Sequence, residues 1–364
     1  MRIGLNLLYV LPGRVGGTEI VARNLIAALA RLRPDDEFVA FAASEAAPTF
    51  DFPANVEVRR LPVRAAIKPL RIAAECTLLP AAAARARVDV LHSLGTTSPP
   101  VTPCPSIVSV NDLIYEHFPA TFPAAARLGL KAIVGPSARR ATRVVAISEY
   151  TKRDIVERLR VPAERVDVVL LGYGNAPAPR ATPASELRER FGLADARVVL
   201  CVSAALAHKN LRRLIEAMRE VDAHLVIVGH AGRETFGEQP GVTFTGWIDD
   251  ADLEGLYRLA ACAVYPSLFE GFGMPVLEAM ARDVPLACST ATSLPEVAGD
   301  AAELFDPLDT GAIAAAVRRL LSDRERAAEL VRRGRERVKR FTWERCAEDL
   351  WEVYEKAARS PAST

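Results

Sequence analysis

Tyr265-Pro-Ser-Leu-Phe-Glu-Gly-Phe-Gly-Met-Pro-Val-Leu-Glu-Ala-Met280 is the stretch on which the reading of this chain turns. The apolar residues up to Tyr265 predict a buried strand, Glu270 and two glycines predict a loop, and a helix is expected from about Met274-Pro275, where proline suits the first turn. A strand, a glycine loop and a helix together make a phosphate cradle. The first amides of such a helix have no intrahelical partner and carry the positive end of its dipole. Glu278 follows one turn later, placed for its carboxylate to accept both hydroxyls of a ribose. Glu270, on the loop, is placed to reach a sugar.

Working outward, the same alternation recurs. Residues 2 to 10 read as a buried strand, and a Pro-Gly turn leads into a helical run beginning Thr18-Glu-Ile, with Thr18 positioned to cap it. Short apolar runs at 37–41, 56–61, 88–91, 106–110, 144–146 and 166–170 are separated by helical spacing around 68–86, 123–141 and 150–159. Residues 172–183 are rich in Gly and Pro, after which the alternation restarts. Strands are expected at 197–203, 223–228, 242–245, 262–265 and 285–288, with helices at 209–219, 250–260, 273–282 and about 308–322. This pattern predicts two doubly wound α/β domains whose ligands bind at the carboxyl ends of the strands. The expected division is an N-terminal Rossmann-like domain over 1–172, a linker over 173–195, a C-terminal Rossmann-like domain over 196–345, and a closing helix over 346–364 that packs back toward the first domain.

Length agrees with two domains, because 364 residues exceed what one core usually holds. The six cysteines are scattered with no CxxC pair, which predicts buried free thiols and a reducing compartment. The N-terminus lacks the order of a signal peptide, and no apolar run approaches the roughly 20 residues of a membrane span. A cytoplasmic location is therefore expected. Net charge is +1, but residues 1–175 carry 22 Lys+Arg against 16 Asp+Glu, a basic half that suits an acidic acceptor or peripheral contact with the inner membrane surface. Nucleic acid is not an expected partner.

The Glu-x7-Glu spacing within Ser-x-x-Glu-Gly-Phe-Gly-x-Pro-x-x-Glu-Ala-Met resembles family 4 of the retaining GT-B glycosyltransferases, and the resemblance spans nearly the whole chain. It is carried as well by Gly16-Gly17-Thr-Glu, Ala146-Ile-Ser-Glu-Tyr-Thr151, His208-Lys209-Asn210, Phe244-Thr-Gly-Trp247, Ser293-Leu-Pro-Glu-Val-Ala-Gly-Asp300 and the closing Phe-Thr-Trp. The resemblance implies a hexosyltransferase, mannosyl- or rhamnosyltransferase-like, that takes its sugar from a nucleotide-sugar donor, GDP-mannose first, with UDP- and dTDP-sugars next. The implied acceptor is a glycan or a lipid-linked molecule, as in polysaccharide or glycolipid biosynthesis. No cofactor beyond the donor substrate is implied, and no metal: no Asp-x-Asp occurs, and Lys209 with the helix amides supplies the positive potential.

Position by position, the resemblance makes Lys209 the cation at the donor diphosphate, Glu270 the sugar residue and Glu278 the ribose residue. Ser203, Gly271, Phe272, Gly273, Met274, Pro275 and Leu277 complete the implied donor contacts. Gly246, Trp247 and Ile248 match the backbone around the base, and Gly16 and Gly17 match the first-domain loop at the phosphates. His208 stands where the family usually has Arg. Asn111, in Val110-Asn-Asp-Leu113, stands where relatives carry a His near the transferred sugar, which leaves Asp112 or His117 to handle protons. His92, His224 and His230 form no spaced cluster with Cys or carboxylates that would hold a metal.

Two other classes stay open. A sugar-nucleotide epimerase shares the two-domain architecture, and a nucleotide-sugar-binding protein without transfer is the reading that Asn111 leaves in place. A Rossmann dehydrogenase is disfavoured, because Gly13-Arg-Val-Gly-Gly17 does not fit Gly-x-Gly-x-x-Gly.

Overall fold

The computed structural model describes residues 1–13, 17–174 and 180–360. The chain divides into two compact units, Met1–Gly174 with Phe341–Thr364, and Asn175–Arg340.

The first unit is built on seven parallel strands: β1 (Arg2–Leu7), β2 (Glu37–Ala42), β3 (Val56–Arg60), β4 (Val90–Ser93), β5 (Ser106–Val110), β6 (Arg143–Ala146) and β7 (Val166–Val168). They lie in the order β3-β2-β1-β4-β5-β6-β7. The period-2 alternation of a strand explains the two-sided core. Phe38 and Ala40 of β2 pack with the helices Gly17–Leu32 and Trp343–Ala358, while Val39 and Phe41 pack with Leu79 and Ala83 of the helix Lys68–Ala86. The helix Gly17–Leu32 starts one residue before the expected Thr18.

The C-terminal helix Trp343–Ala358 belongs to this unit because its apolar face has a place only there. Leu350, Trp351 and Tyr354 are buried in the core formed with β1 and the helix Gly17–Leu32, each contributing about 1.5–3 kcal/mol. Thr342 caps this helix by accepting from the Arg345 amide at 3.2 Å. Its start is pinned by a close approach: a Cβ on Gly172 or Gly174 would come within 2.6 Å or 2.5 Å of Trp343 atoms.

The second unit carries six parallel strands: β8 (Val198–Val202), β9 (His224–Val228), β10 (Val242–Gly246), β11 (Ala260–Tyr265), β12 (Leu286–Ser289) and β13 (Glu303–Phe305), in the order β10-β9-β8-β11-β12-β13. Residues 173–195, expected as linker, include the helix Ala184–Phe191. Its Leu187 is completely buried, and its C-terminus is closed by Gly192 at φ +64°. The helix packs on Asp250–Leu259, so burial makes it part of the second unit. A helix the sequence reading did not mark, Arg324–Val338, packs on Met274–Ala281, with Gly334 against Met280.

Both sheets reverse their winding direction at one place, between β1 and β4 and between β8 and β11. At such a switch point the loops at the strands' carboxyl ends diverge and leave a crevice. Among the described residues no helix is long and apolar enough to cross a membrane. The six cysteines are free, five of them buried, and burial pushes the thiols of Cys201, Cys262, Cys288 and Cys346 up to about 12.

Candidate active site

The loops after β8 and β11 meet at the switch point of the second unit. Asn210, held at φ +57°, ties them together: its side-chain amide donates to the carbonyls of Pro266 (3.0 Å) and Pro307 (2.7 Å). The Leu268 amide donates to the His208 carbonyl at 2.7 Å. With both loops fixed, Lys209 Nζ lies 2.6 Å from Glu270 Oε1, and Ser267 Oγ donates to the same oxygen at 2.7 Å. The Glu270 amide donates to Thr292 Oγ1 at 2.9 Å, and Ser293 Oγ donates to the carbonyls of Glu270 and Phe272 at 2.9 and 2.8 Å. Lys209 and Glu270 are both half-buried, which strengthens their attraction relative to an exposed pair.

The helix Met274–Ala281 begins at this crevice. Gly273 precedes it at φ +119°, a conformation that favours glycine, and a Cβ there would lie 2.7 Å from Leu294 Cδ2. No side chain caps the helix, so its positive end faces a crevice lined by Cys201, Ser203, Ser267, Glu270, Gly273 and Pro275. Further along the helix, Glu278 Oε2 accepts from the Tyr257 hydroxyl at 3.0 Å. Burial pushes the Glu278 carboxyl above the usual carboxylate range, against the opposing pull of Tyr257 and Arg282. His208 is buried, and burial together with the Lys209 charge pulls its imidazole down to about 4. The imidazole is neutral at pH 7 and cannot supply the second cation expected where the family has Arg.

In the first unit the loop after β5 carries Asn111 and Asp112. Asp112 Oδ1 accepts from the Ile114 amide at 3.0 Å, which starts the short helix Ile114–His117. His117 Nε2 lies 2.7 Å from Asp154 Oδ2, and Arg158 Nε donates to the other oxygen of that carboxylate at 2.5 Å. His92 is wholly buried, with Tyr354 Oη at 3.0 Å and Ser109 Oγ at 2.8 Å, and burial pulls it down to about 3. It serves as a neutral core residue with both ring nitrogens bonded.

Of the residues singled out from the sequence, Ser203, Lys209, Glu270, Gly273 and Pro275 gather in one place, with Met274 beginning the helix beside them. Gly246 closes β10 at φ +71°, followed by Trp247, 73% exposed, and by half-buried Ile248. The side chains of Phe272 and Leu277 are buried, Leu277 completely, so both contribute to packing beside the crevice. Gly17 opens the helix of the first unit, where Asn111 and Asp112 also lie, and Gly16 is outside the described residues. Ser267, Thr292, Asn210 and Tyr257 were assigned no role from the sequence. Ser293 opens the motif Ser293 to Asp300, but its grip on Glu270 depends on a fold contact 23 residues away. Among the described residues no group of three His, Cys, Asp or Glu side chains is placed to hold a metal ion.

Comparison with known proteins agrees with this architecture. Residues 15–174 match Glycosyltransferase Family 4, and residues 184–337 match Glycosyl transferases group 1. O-antigen chain mannosyltransferase B of Escherichia coli is 32% identical over 58% of this chain and 60% of its own length. The MMP alpha-(1->4)-mannosyltransferase of Mycolicibacterium hassiacum is 30% identical over 60% of this chain and 55% of its own. The matches thus span less than two thirds of these relatives. Among solved structures, Anabaena Alr3699/HepE in complex with UDP-glucose superimposes with a TM-score of 0.72 at 20% identity, over 98% of this chain and 100% of that one, which shows the shared fold. The two Rossmann-like units and the paired family matches place this chain in family 4 of the GT-B glycosyltransferases.

Proposed function

We propose that the chain is a retaining hexosyltransferase that moves a sugar, mannose first, from a nucleoside diphosphate to a glycan or lipid-linked acceptor in polysaccharide or glycolipid biosynthesis. The observation that carries this reading is the Lys209–Glu270 pair beside the uncapped start of the helix Met274–Ala281. A cation and free helix amides offset charge developing on a leaving diphosphate, and a carboxylate beside them holds a sugar hydroxyl. The mannosyl preference, and with it GDP-mannose as donor, is supported by the names of the two relatives above; the UDP-glucose bound by HepE makes UDP-sugars the next choice.

The bond from the sugar's anomeric carbon to the diphosphate breaks and the bond to the acceptor oxygen forms on the same face. The leaving phosphate oxygen takes the acceptor's proton, so no side-chain base is required and Asn111 is compatible with turnover. Lys209 and the helix amides carry the diphosphate without a metal, and the protein acts in the cytoplasm, in peripheral contact with the inner membrane surface through its first unit.

The test is a thermal-shift panel of GDP, UDP and dTDP and their sugars, followed by determination of the product's anomeric configuration. One nucleotide series raising Tm with concentration, and a product of unchanged configuration, are expected. No shift with any nucleotide, or an inverted product, overturns the reading. Donor binding with neither transfer nor slow donor hydrolysis would identify a binding protein.

A further inference from the structure

The helix Lys68–Ala86 of the first unit presents an outward face that a water-exposed helix rarely has. From residue 69 to residue 84 every exposed position is uncharged, with Leu70 54% and Leu78 41% exposed, and Ile67 is 43% exposed just before the first turn. The one carboxylate of the helix, Glu75, points inward: it is buried and accepts from Thr97 Oγ1 at 2.9 Å. Soluble helices normally place charges on the outward face, so an apolar one marks a contact surface.

Exposed cations outnumber carboxylates at the ends of this face, where Glu45 accepts from the Ala66 amide at 3.1 Å and Asp89 follows Arg87. Arg64 and Lys68 lie at its start and Arg85 and Arg87 at its end, all exposed. Among the described residues the helix has a single ion pair, Arg71 with Glu75 at 3.9 Å, and none of the four exposed cations shares in one. Lys68 and Arg71 fall in the first turn, which holds no acidic residue, and no side chain caps it. Cations at the positive end of a helix are unfavourable in water. They are favourable against phosphates, and Ile67 and Leu70 beside them have the reach to enter an acyl boundary.

We propose that the helix Lys68–Ala86 is the surface by which this protein docks on an anionic phospholipid bilayer, with Ile67, Leu70 and Leu78 inserted and the flanking cations on headgroup phosphates. The proposal rests on the peripheral membrane contact described above and names the surface that makes it. A second copy of the chain fits less well, because an isologous contact along this face brings its own unpaired cations together.

The experiment is co-flotation of the full chain with vesicles of phosphatidylcholine alone or in equal parts with phosphatidylglycerol. Wild type floats with the mixed vesicles only, and less so as salt rises. Lys68→Glu lowers partition by about 25-fold, two steps of roughly fivefold for a charge removed and a charge reversed. Ile67→Ser/Leu70→Ser lowers it by about tenfold or more. Both variants keep the wild-type thermal shift with nucleoside diphosphate, which shows that they are folded. Failure of wild type to float sinks the peripheral contact itself. Flotation of the variants equal to wild type sinks this surface alone. A wild-type dimer in size-exclusion chromatography that Ile67→Ser/Leu70→Ser makes monomeric, without vesicle binding, reassigns the face to self-association.

Discussion

Lys209 Nζ lies 2.6 Å from Glu270 Oε1, so one half-buried ion pair joins the loop after β8 to the loop after β11. The pair holds a cation and a carboxylate together, which is how the proposed donor site would have both in place before any substrate arrives. That preorganisation is what an electrostatic site requires, because the groups need not reorganise as charge develops.

Lys209→Ala is expected to lower kcat/KM by about 100-fold or more and to weaken nucleoside diphosphate binding. Glu270→Ala lowers turnover by a comparable factor while leaving that affinity nearly unchanged. Because each variant removes the same contact, their effects are less than additive in the double variant. Steady-state kinetics with calorimetry checks all three; an additive cycle, or a wild-type rate for Lys209→Ala, removes the pair from the site.

Glu278 carries a distinct pH signature. Its carboxyl is raised by burial, so it takes up a proton at higher pH than an exposed glutamate does. A carboxylate that accepts from ribose hydroxyls is complete above that raised pKa and is lost as pH falls through it. Nucleotide affinity is expected to fall on acidification, and Glu278→Gln lowers it about 10- to 100-fold at neutral pH while flattening the dependence. Comparing the variant with wild type by calorimetry cancels the titration of the nucleotide's own phosphates. Equal pH slopes would contradict the assignment.

Acid sensitivity of the fold follows from two histidines. His92 is pulled down to about 3 and His208 to about 4, each chiefly by burial, so the folded state favours the neutral ring. The unfolded chain takes up these protons below about 6.5. Their contribution is complete above that pH and is lost as pH falls toward the folded values, at up to about 1.4 kcal/mol per pH unit for each ring. Urea denaturation from about pH 7 to about pH 5 should show the loss, with His92→Gln and His208→Gln each flattening it. A stability profile flat over this window would refute the account.

Gly273→Ala should cost about 1–3 kcal/mol, since φ +119° suits glycine and the new methyl meets Leu294. It should also weaken nucleotide binding by shifting the helix start. Because Leu294 is itself buried, the check is a double-mutant cycle in thermal denaturation: Gly273→Ala should cost less in a Leu294→Ala background, where the clash is gone, than in wild type, yet still cost stability through the backbone strain.

Asn111→His is expected to be tolerated or activating in a transfer assay under the proposed mechanism, in which the leaving phosphate takes the acceptor's proton. Complete loss would give Asn111 a task of its own in the loop after β5.

Short-range features were legible in the sequence. The helix over 68–86 and the strand, glycine loop and helix around Glu270 are set by the spacing of neighbouring residues, and the structure has them at the expected positions. The helices Ala184–Phe191 and Arg324–Val338 are not legible in the sequence, for physical reasons. Ala184–Phe191 follows a Pro-rich stretch and buries only Leu187, and Arg324–Val338 is so rich in charge that only Leu330 and Gly334 are buried along it. Neither offers the apolar stripe on which a period of 3.6 is recognised.

The sequence by itself determined two doubly wound units, the glycine turn before Met274, and the identities of Lys209, Glu270 and Glu278 as the residues to watch. Tertiary structure alone decided what those residues meet. Lys209 and Glu270 are 61 positions apart and Tyr257 and Glu278 are 21 apart, and each pair forms only because parallel strands bring their carboxyl-end loops and covering helices together. The same holds for burial. No local pattern says that His208 is kept neutral, that Leu277 faces the core, or that Trp343 closes on Gly172, because desolvation and close approach belong to the packed chain and not to any segment of it.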